Sequence, residues 1–106
     1  AKDAGKLAIG VDSNQNYLHP GTMLTSMVKR VDVAAYNSFK SAMDGTWKPG
    51  FQALGLAEGG VDWALDEHNK ALISSEMKAR VDQAKADIIA GKIKVHDYMS
   101  DNTCPN

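Results

Sequence analysis

A short apolar run, Lys6-Leu7-Ala8-Ile9, stops at Gly10 and gives way to Val11-Asp12-Ser13-Asn14-Gln15-Asn16-Tyr17. Apolar residues in a run this short, bounded by glycines and polar residues, predict a buried strand over Lys6 to Val11. Asp12 then stands at the C-terminal end of that strand, ahead of a series of side-chain amides. Open α/β sheets place ligand-contacting groups at such strand ends, which face the crevice between elements. Asp12 is therefore a candidate acceptor for a hydroxyl or amine of a small polar ligand. An Asx-turn, or the capping of a nearby amide, is the competing use of an aspartate here.

The remaining pattern frames that strand. Residues 12 to 21 read as a loop closed by His19-Pro20-Gly21, with Thr22 as the N-cap of a long helix reaching about Asp44 and stopping at Gly45. Leu24, Met27, Val28, Val31, Ala35, Phe39 and Met43 recur at the three- and four-residue spacing of one helix face. On that helix Lys29 would share a second face with Thr25 and Tyr36, away from the apolar stripe. Phe51 to Leu56 and Val61 to Leu65 predict short strands around Glu58-Gly59-Gly60, and residues 55–61 read as a crossing between subdomains. Asp66-Glu67-His68-Asn69 is a polar turn. A second helix runs from Ser74 or Ser75 to Gly91, with Met77, Val81, Ala84 and Ile88 as its inward stripe, and Ile93 to Val95 adds a short terminal strand. Ala1 to Gly5 resembles the last turn of a helix with Gly5 at C′, which raises the expectation of a piece of a longer polypeptide. The order β–α–β–β–α–(β) predicts an α/β layer structure with part of its sheet parallel.

Composition removes several classes of function. Twelve basic residues face thirteen acidic ones, for a formal net charge of -1, so no basic stripe is available for nucleic acid. No apolar stretch approaches the roughly 20 residues of a membrane span. Cys104 is the single cysteine and forms no internal disulfide; in a polar tail with no neighbouring histidine, it is no nucleophile. His19, His68 and His96 lack metal-ligand spacing, so no metal is expected. Glu58-Gly59-Gly60 has neither the lysine nor the helix start of a phosphate loop. Catalysis needs clustered carboxylates or an activated nucleophile, and Asp12 alone is neither. The chain is read as a binding protein with no catalytic residue and no cofactor. Trp47 and Trp63 are packing residues or, at a cleft edge, platforms for a purine.

Five segments carry a family resemblance when taken in order. They are Gly10-Val11-Asp12-Ser13-Asn14-Gln15, Leu24 to Asp32 (Leu-Thr-Ser-Met-Val-Lys-Arg-Val-Asp), Leu54-Gly55-Leu56, Glu58-Gly59-Gly60-Val61 and Ala90-Gly91-Lys92-Ile93. Together they resemble the C-terminal part of the basic membrane protein family, the substrate-binding proteins of bacterial ABC importers, many of which bind purine nucleosides or bases. The resemblance implies a fragment of the type I periplasmic-binding-protein fold, a three-layer α/β/α structure with a mostly parallel sheet, in which two lobes close over a ligand. It implies that residues 1–106 are the C-terminal portion of such a protein, in the periplasm or on a cell-surface lipoprotein, with an ABC permease and the upstream part of the same polypeptide as partners. Asp12 matches an aspartate positioned to accept from ribose hydroxyls or a base amine, and Lys29 matches a lysine that makes a second polar contact. Asn14 stands where the commoner form of the motif has aspartate, which removes one negative charge from the cleft rim. Asn14 and Gln15 are secondary ligand candidates. A ligand-sensing regulatory domain of the same fold is the alternative function.

Overall fold

The protein is described from a computed structural model covering residues 1–105. One sheet holds three strands in the order β1-β2-β3: β1 (Ala8–Asp12), β2 (Met23–Lys29) and β3 (Val61–Trp63). β1 and β2 run parallel, with Ile9 beside Thr25 and Asp12 beside Val28. β2 and β3 run antiparallel, with Met27 opposite Trp63 and Lys29 opposite Val61. The helices are α1 (Val31–Met43), α2 (Ser75–Ile89) and α3 (Tyr98–Asp101). The α/β class expected from the sequence is the class observed, and β1 lies where the first apolar run predicts a strand, but that strand is not buried: only Gly10 is, while Leu7, Ile9 and Val11 are exposed because no described helix covers them.

The long helix expected from Thr22 is corrected by β2. Residues Met23 to Lys29 are extended and form the centre of the sheet, and the helix begins only at Val31. β2 places Thr25 and Ser26 between Met23-Leu24 and Met27-Val28, so its apolar residues do not alternate. Leu24, Met27 and Val28 happen to fall at helical spacing, and an apolar run of this length does not distinguish the two periods. Lys29 consequently ends a strand and shares no helix face with Tyr36. Thr22 is no helix cap.

Two further strands are not formed. Residues 51–56 and 93–95 pair with nothing among the described residues. Leu54 to Gly60 instead closes into a turn through Gly60 N–H to Gly55 C=O (2.9 Å), Gly59 N–H to Leu56 C=O (3.2 Å) and Gly55 N–H to the Glu58 carboxylate (2.8 Å). Gly60 is buried there, and a Cβ on it would lie 2.4 Å from the Leu54 carbonyl oxygen. The same residue accepts Arg30 N–H at 2.8 Å, which ties the turn to the junction of β2 and α1. After α2 the chain is drawn back by Lys92 N–H and Gly91 N–H bonding to Asp87 and Ile88 carbonyls, a Schellman closure that leaves Ile93 outside any strand.

The helix ends agree with the sequence. Ser74 caps α2, its hydroxyl accepting Met77 N–H at 3.1 Å, and Gly45 and Gly91 stop α1 and α2 in the left-handed region at φ 71° and 73°. Gly5 likewise ends a single 3₁₀ turn, Lys2–Ala4, at φ 61°.

Packing is sparse beside this regular backbone. Ile9, Thr25, Met27 and Trp63 face Ile73, Met77 and Val81 across an apolar cleft of about 280 Å³. The α2 stripe thus points at the sheet, yet Met77 and Val81 remain 40% and 41% exposed. Met23 is the one large apolar side chain buried among the described residues. On α1, Phe39 and Met43 are open to solvent. The radius of gyration is 16.7 Å, against about 13 Å for a compact domain of this length.

Candidate functional site

The C-terminal ends of β1 and β2 define a groove of about 420 Å³, lined by Asp12, Ser13 and Asn14 from the first strand and its loop, and by Val28, Lys29, Val31 and Asp32 from the β2–α1 junction. Parallel pairing of β1 with β2 is what brings Asp12 and Lys29 to the same end. Lys29 Nζ lies 2.8 Å from Asp12 Oδ1, with both side chains more than half exposed. Hydrogen bonding to the Asp12 carboxylate, and then its charge, raises the Lys29 pKa above its ordinary value. The two principal candidates from the sequence therefore meet.

Asp12 is held in an unusual backbone state. Its φ is 72°, and Ser13 N–H bonds back to Val11 C=O at 3.0 Å, so the residue occupies the centre of a rare, strained γ-turn. Residues with a Cβ persist in this region only when their surroundings over-determine it, at a strain of order 1–3 kcal/mol. Such positions concentrate at ligand-contacting sites.

The surroundings are a polar clasp. Gln15 Oε1 accepts Val11 N–H at 3.1 Å, and Gln15 N–H donates to Ser26 Oγ at 3.0 Å. Ser26 Oγ donates to Asn16 Oδ1 at 2.8 Å, and Asn16 N–H donates to Asn14 Oδ1 at 3.0 Å. Both Asn14 and Asn16 donate their side-chain amides to Asp66 Oδ2, at 2.7 and 3.0 Å. Asn69 completes the network, its Oδ1 accepting Asp66 N–H while its Nδ2 donates to the carbonyls of Leu24 and Ala64. Asn16, Ser26 and Asn69 have no solvent exposure, and among the described residues every buried polar side-chain atom is paired. Gly10 permits the close approach: a Cβ there would lie 2.6 Å from Ser26 Oγ and 2.8 Å from Gln15 Oε1.

Asn14 and Gln15, the secondary candidates, lie in this clasp. Asn14 still borders the groove while its amide is bonded to Asp66, and the Gln15 side chain is turned onto the backbone of β1. Sequence reasoning weighs Asn16 only as a loop amide that donates to a ligand or bonds the local backbone, and it misses Ser26, Asp66 and Asn69. A serine beside Thr25 within β2, and two asparagines ending the amide run and the polar turn, were the available signals. The turn at Asp66 is polar as expected, but its Asp66 and Asn69 side chains face inward.

A second ion pair closes the far side of the groove. Arg30 grips Asp32 with two parallel bonds, Nε to Oδ1 at 3.0 Å and a terminal nitrogen to Oδ2 at 2.8 Å. The Arg30 hydrogen bond is the main cause holding the Asp32 carboxyl down to about 2. Each carboxylate at this rim thus has a cation beside it. Donors and acceptors are both available, and the local charge balances.

Comparison with known proteins extends the geometry. Residues 1–98 match the family described as ABC transporter substrate-binding protein PnrA-like. An uncharacterised lipoprotein of Pyrococcus abyssi is 49% identical over 61 residues, which cover 57% of this chain and 15% of that protein. The ABC transporter nucleoside-binding protein BmpA of Lactococcus lactis subsp. cremoris is 35% identical over 97 residues, covering 82% of this chain and 26% of that protein. Among solved structures, an ABC transporter solute-binding protein from Aeropyrum pernix K1 aligns over 85% of this chain and 32% of its own, with 28% identity and a TM-score of 0.65. A transcriptional activator of the comK gene from Bacillus halodurans aligns over 90% of this chain and 32% of its own, with 25% identity and a TM-score of 0.77. The chain spans from 15% to 32% of the length of these relatives.

Proposed function

Because the chain belongs to the family of PnrA-like ABC transporter substrate-binding proteins, we propose that it supplies one wall of a ligand cleft and contacts a purine nucleoside or nucleobase through Asp12 and Lys29. The observation that carries this reading is the meeting of those two side chains at the open end of the parallel strand pair, 2.8 Å apart. The Asp12 carboxylate accepts from ligand hydroxyls or an amine, and the Lys29 ammonium donates to a ligand oxygen. An exposed ion pair contributes little by itself, so its replacement by ligand contacts has a small penalty. A rim that balances Asp12 and Asp32 with Lys29 and Arg30 suits a neutral polar ligand better than a phosphorylated one. Binding, rather than catalysis, is the activity.

The same proposal assigns residues 1–106 to the C-terminal portion of a two-lobed protein, with residues 55–61 as the crossing between lobes. The exposed apolar faces of α1 and α2 support this, since helices with such faces are stable when covered. So does the greater length of every relative described above. The complete protein delivers its ligand to an ABC permease from the periplasm or as a cell-surface lipoprotein, in keeping with the name of the Pyrococcus relative. Calorimetric titration of guanosine, inosine and adenine into the complete protein, with Asp12→Ala beside it, is the test. Loss of binding in the variant is expected; unchanged heat would remove Asp12 from the site. The isolated 106-residue chain is expected to bind weakly, and micromolar affinity in it would contradict the two-lobe assignment.

A regulatory reading has its own support in the Bacillus halodurans activator, whose TM-score of 0.77 exceeds that of the transport protein. Permease and ATPase genes beside this one favour transport, and their absence favours sensing.

A further inference from the structure

Asp66 lies in the turn after β3, more than fifty residues from the strand end it influences. Its Oδ2 accepts from Asn14 at 2.7 Å and from Asn16 at 3.0 Å, while its Oδ1 accepts His68 N–H at 2.8 Å. Through buried Asn16 and Ser26 this anchor reaches Gln15, whose side chain holds the Val11 N–H next to the strained turn at Asp12. The chain of bonds ends one residue from the carboxylate that faces the groove.

We propose that Asp66 is a positioning residue for ligand binding: by clamping the amides of Asn14 and Asn16 it fixes the segment that holds Asp12 in its γ-turn, and it requires a neutral donor at position 14. This rests on Asp12 being the ligand contact proposed above. An ionised carboxylate has acceptors only, so the contact works because Asn14 presents hydrogens to it. A carboxylate at position 14 would stand within hydrogen-bond distance of the Asp66 carboxylate, and the two would share one proton or move apart. His68 of its own turn is the ionisable neighbour that bears on Asp66, while the 13–16 segment meets it with amides. Hydrogen bonding from Asn14, ahead of the bonds from His68 N–H and Asn16, keeps Asp66 below the ordinary carboxylate range and thus ionised near neutrality.

The test uses the complete protein and measures inosine and guanosine affinity from about pH 5 to about pH 8, a window in which the unaltered Asp66 stays ionised. Asn14→Asp is expected to lose about tenfold or more at the alkaline end and to regain affinity as the pH falls and the carboxyl pair takes up a proton. The parent protein is expected to lack that recovery on acidification. The reciprocal double variant Asn14→Asp, Asp66→Asn restores a donor–acceptor pair, and most of the alkaline loss should disappear. A merely structural defect would lower the melting temperature without creating this pH-dependent affinity. Asp12→Ala separates the two levels of the argument. Unchanged binding in Asp12→Ala overturns the Asp12 assignment. Binding lost in Asp12→Ala but unaltered in Asn14→Asp at every pH overturns the role of Asp66. Failure of the double variant to improve on Asn14→Asp also overturns it.

Discussion

The clasp around Asn16 and the outer face of α1 are built on opposite principles. In the clasp, polar side chains with no solvent exposure satisfy one another completely. On α1, Phe39 is 75% exposed and Met43 is 88% exposed, although their spacing is that of a packing face. Buried polar groups are stabilising only when every member is bonded, so the clasp specifies one geometry for its loop. An apolar face specifies only that something must cover it. The Asp12 end of the sheet is therefore internally determined, whereas the outer face of α1 is left open to solvent.

The largest way to break the determined region is Gly60→Ala. A methyl group there meets the Leu54 backbone at 2.4 Å, and backbone cannot rotate aside. A loss of about 3 kcal/mol in chemical denaturation of the complete protein is expected, at the upper end for overpacking. A loss within experimental error would mean that the Leu54–Gly60 turn is plastic.

Asn16→Ala comes next. It leaves the Ser26 hydroxyl proton without its acceptor and removes one of the donors to Asp66. Each buried group left without a partner costs about 1–3 kcal/mol, so roughly 2 kcal/mol should be lost in the same denaturation experiment. Asn16→Asp should fare no better, because its carboxylate would face Asp66.

Acid attacks the clasp without a mutation. The Asp66 pKa lies below its ordinary value in the folded protein, so its stabilisation is present above the unfolded-state pKa and is lost as pH falls through the folded value. Denaturation midpoints should be level near neutrality and decline below about pH 4, with a shallower decline in Asp66→Asn. Parallel declines would show that other carboxylates dominate acid unfolding.

The smallest effect belongs to the other region. Phe39→Ala in the 106-residue chain removes a ring that is already mostly in water. Helix stability by circular dichroism should change by less than about 0.5 kcal/mol. A loss above about 2 kcal/mol would show that the α1 face is packed already and would erase the contrast with the clasp.

Legibility in the sequence follows the same division. The helix stops at Gly45 and Gly91, the Ser74 cap, the first strand and the meeting of Asp12 with Lys29 all depend on local chemistry or on linear motifs, and these were readable. β2 was not, because its apolar residues do not alternate and Leu24, Met27 and Val28 fall at helical spacing. Lys29 lies beside Asp12 although the element assigned to it was wrong; the motif resemblance, not the helical face, paired the two residues. The clasp was invisible for another reason. Asn14 and Asn16 meet Asp66 across fifty residues or more, and the pairing exists only once β2 and β3 are adjacent. Linear spacing has no signal for such a contact.

The central claim is that Asp12 accepts hydrogen bonds from the ligand, and a cycle that alters both partners tests it most directly. Inosine, its 2′- and 3′-deoxy analogues, and adenosine beside its deaminated form would each be titrated into the complete protein and into Asp12→Ala. A bond to a charged group contributes about 1.5–3 kcal/mol, so at least one analogue should lose about tenfold or more in the parent protein. In Asp12→Ala that analogue should lose nothing further, since the acceptor is already gone. Equal losses for every analogue in both proteins would contradict the claim and leave Asp12 as the centre of a strained turn with no ligand.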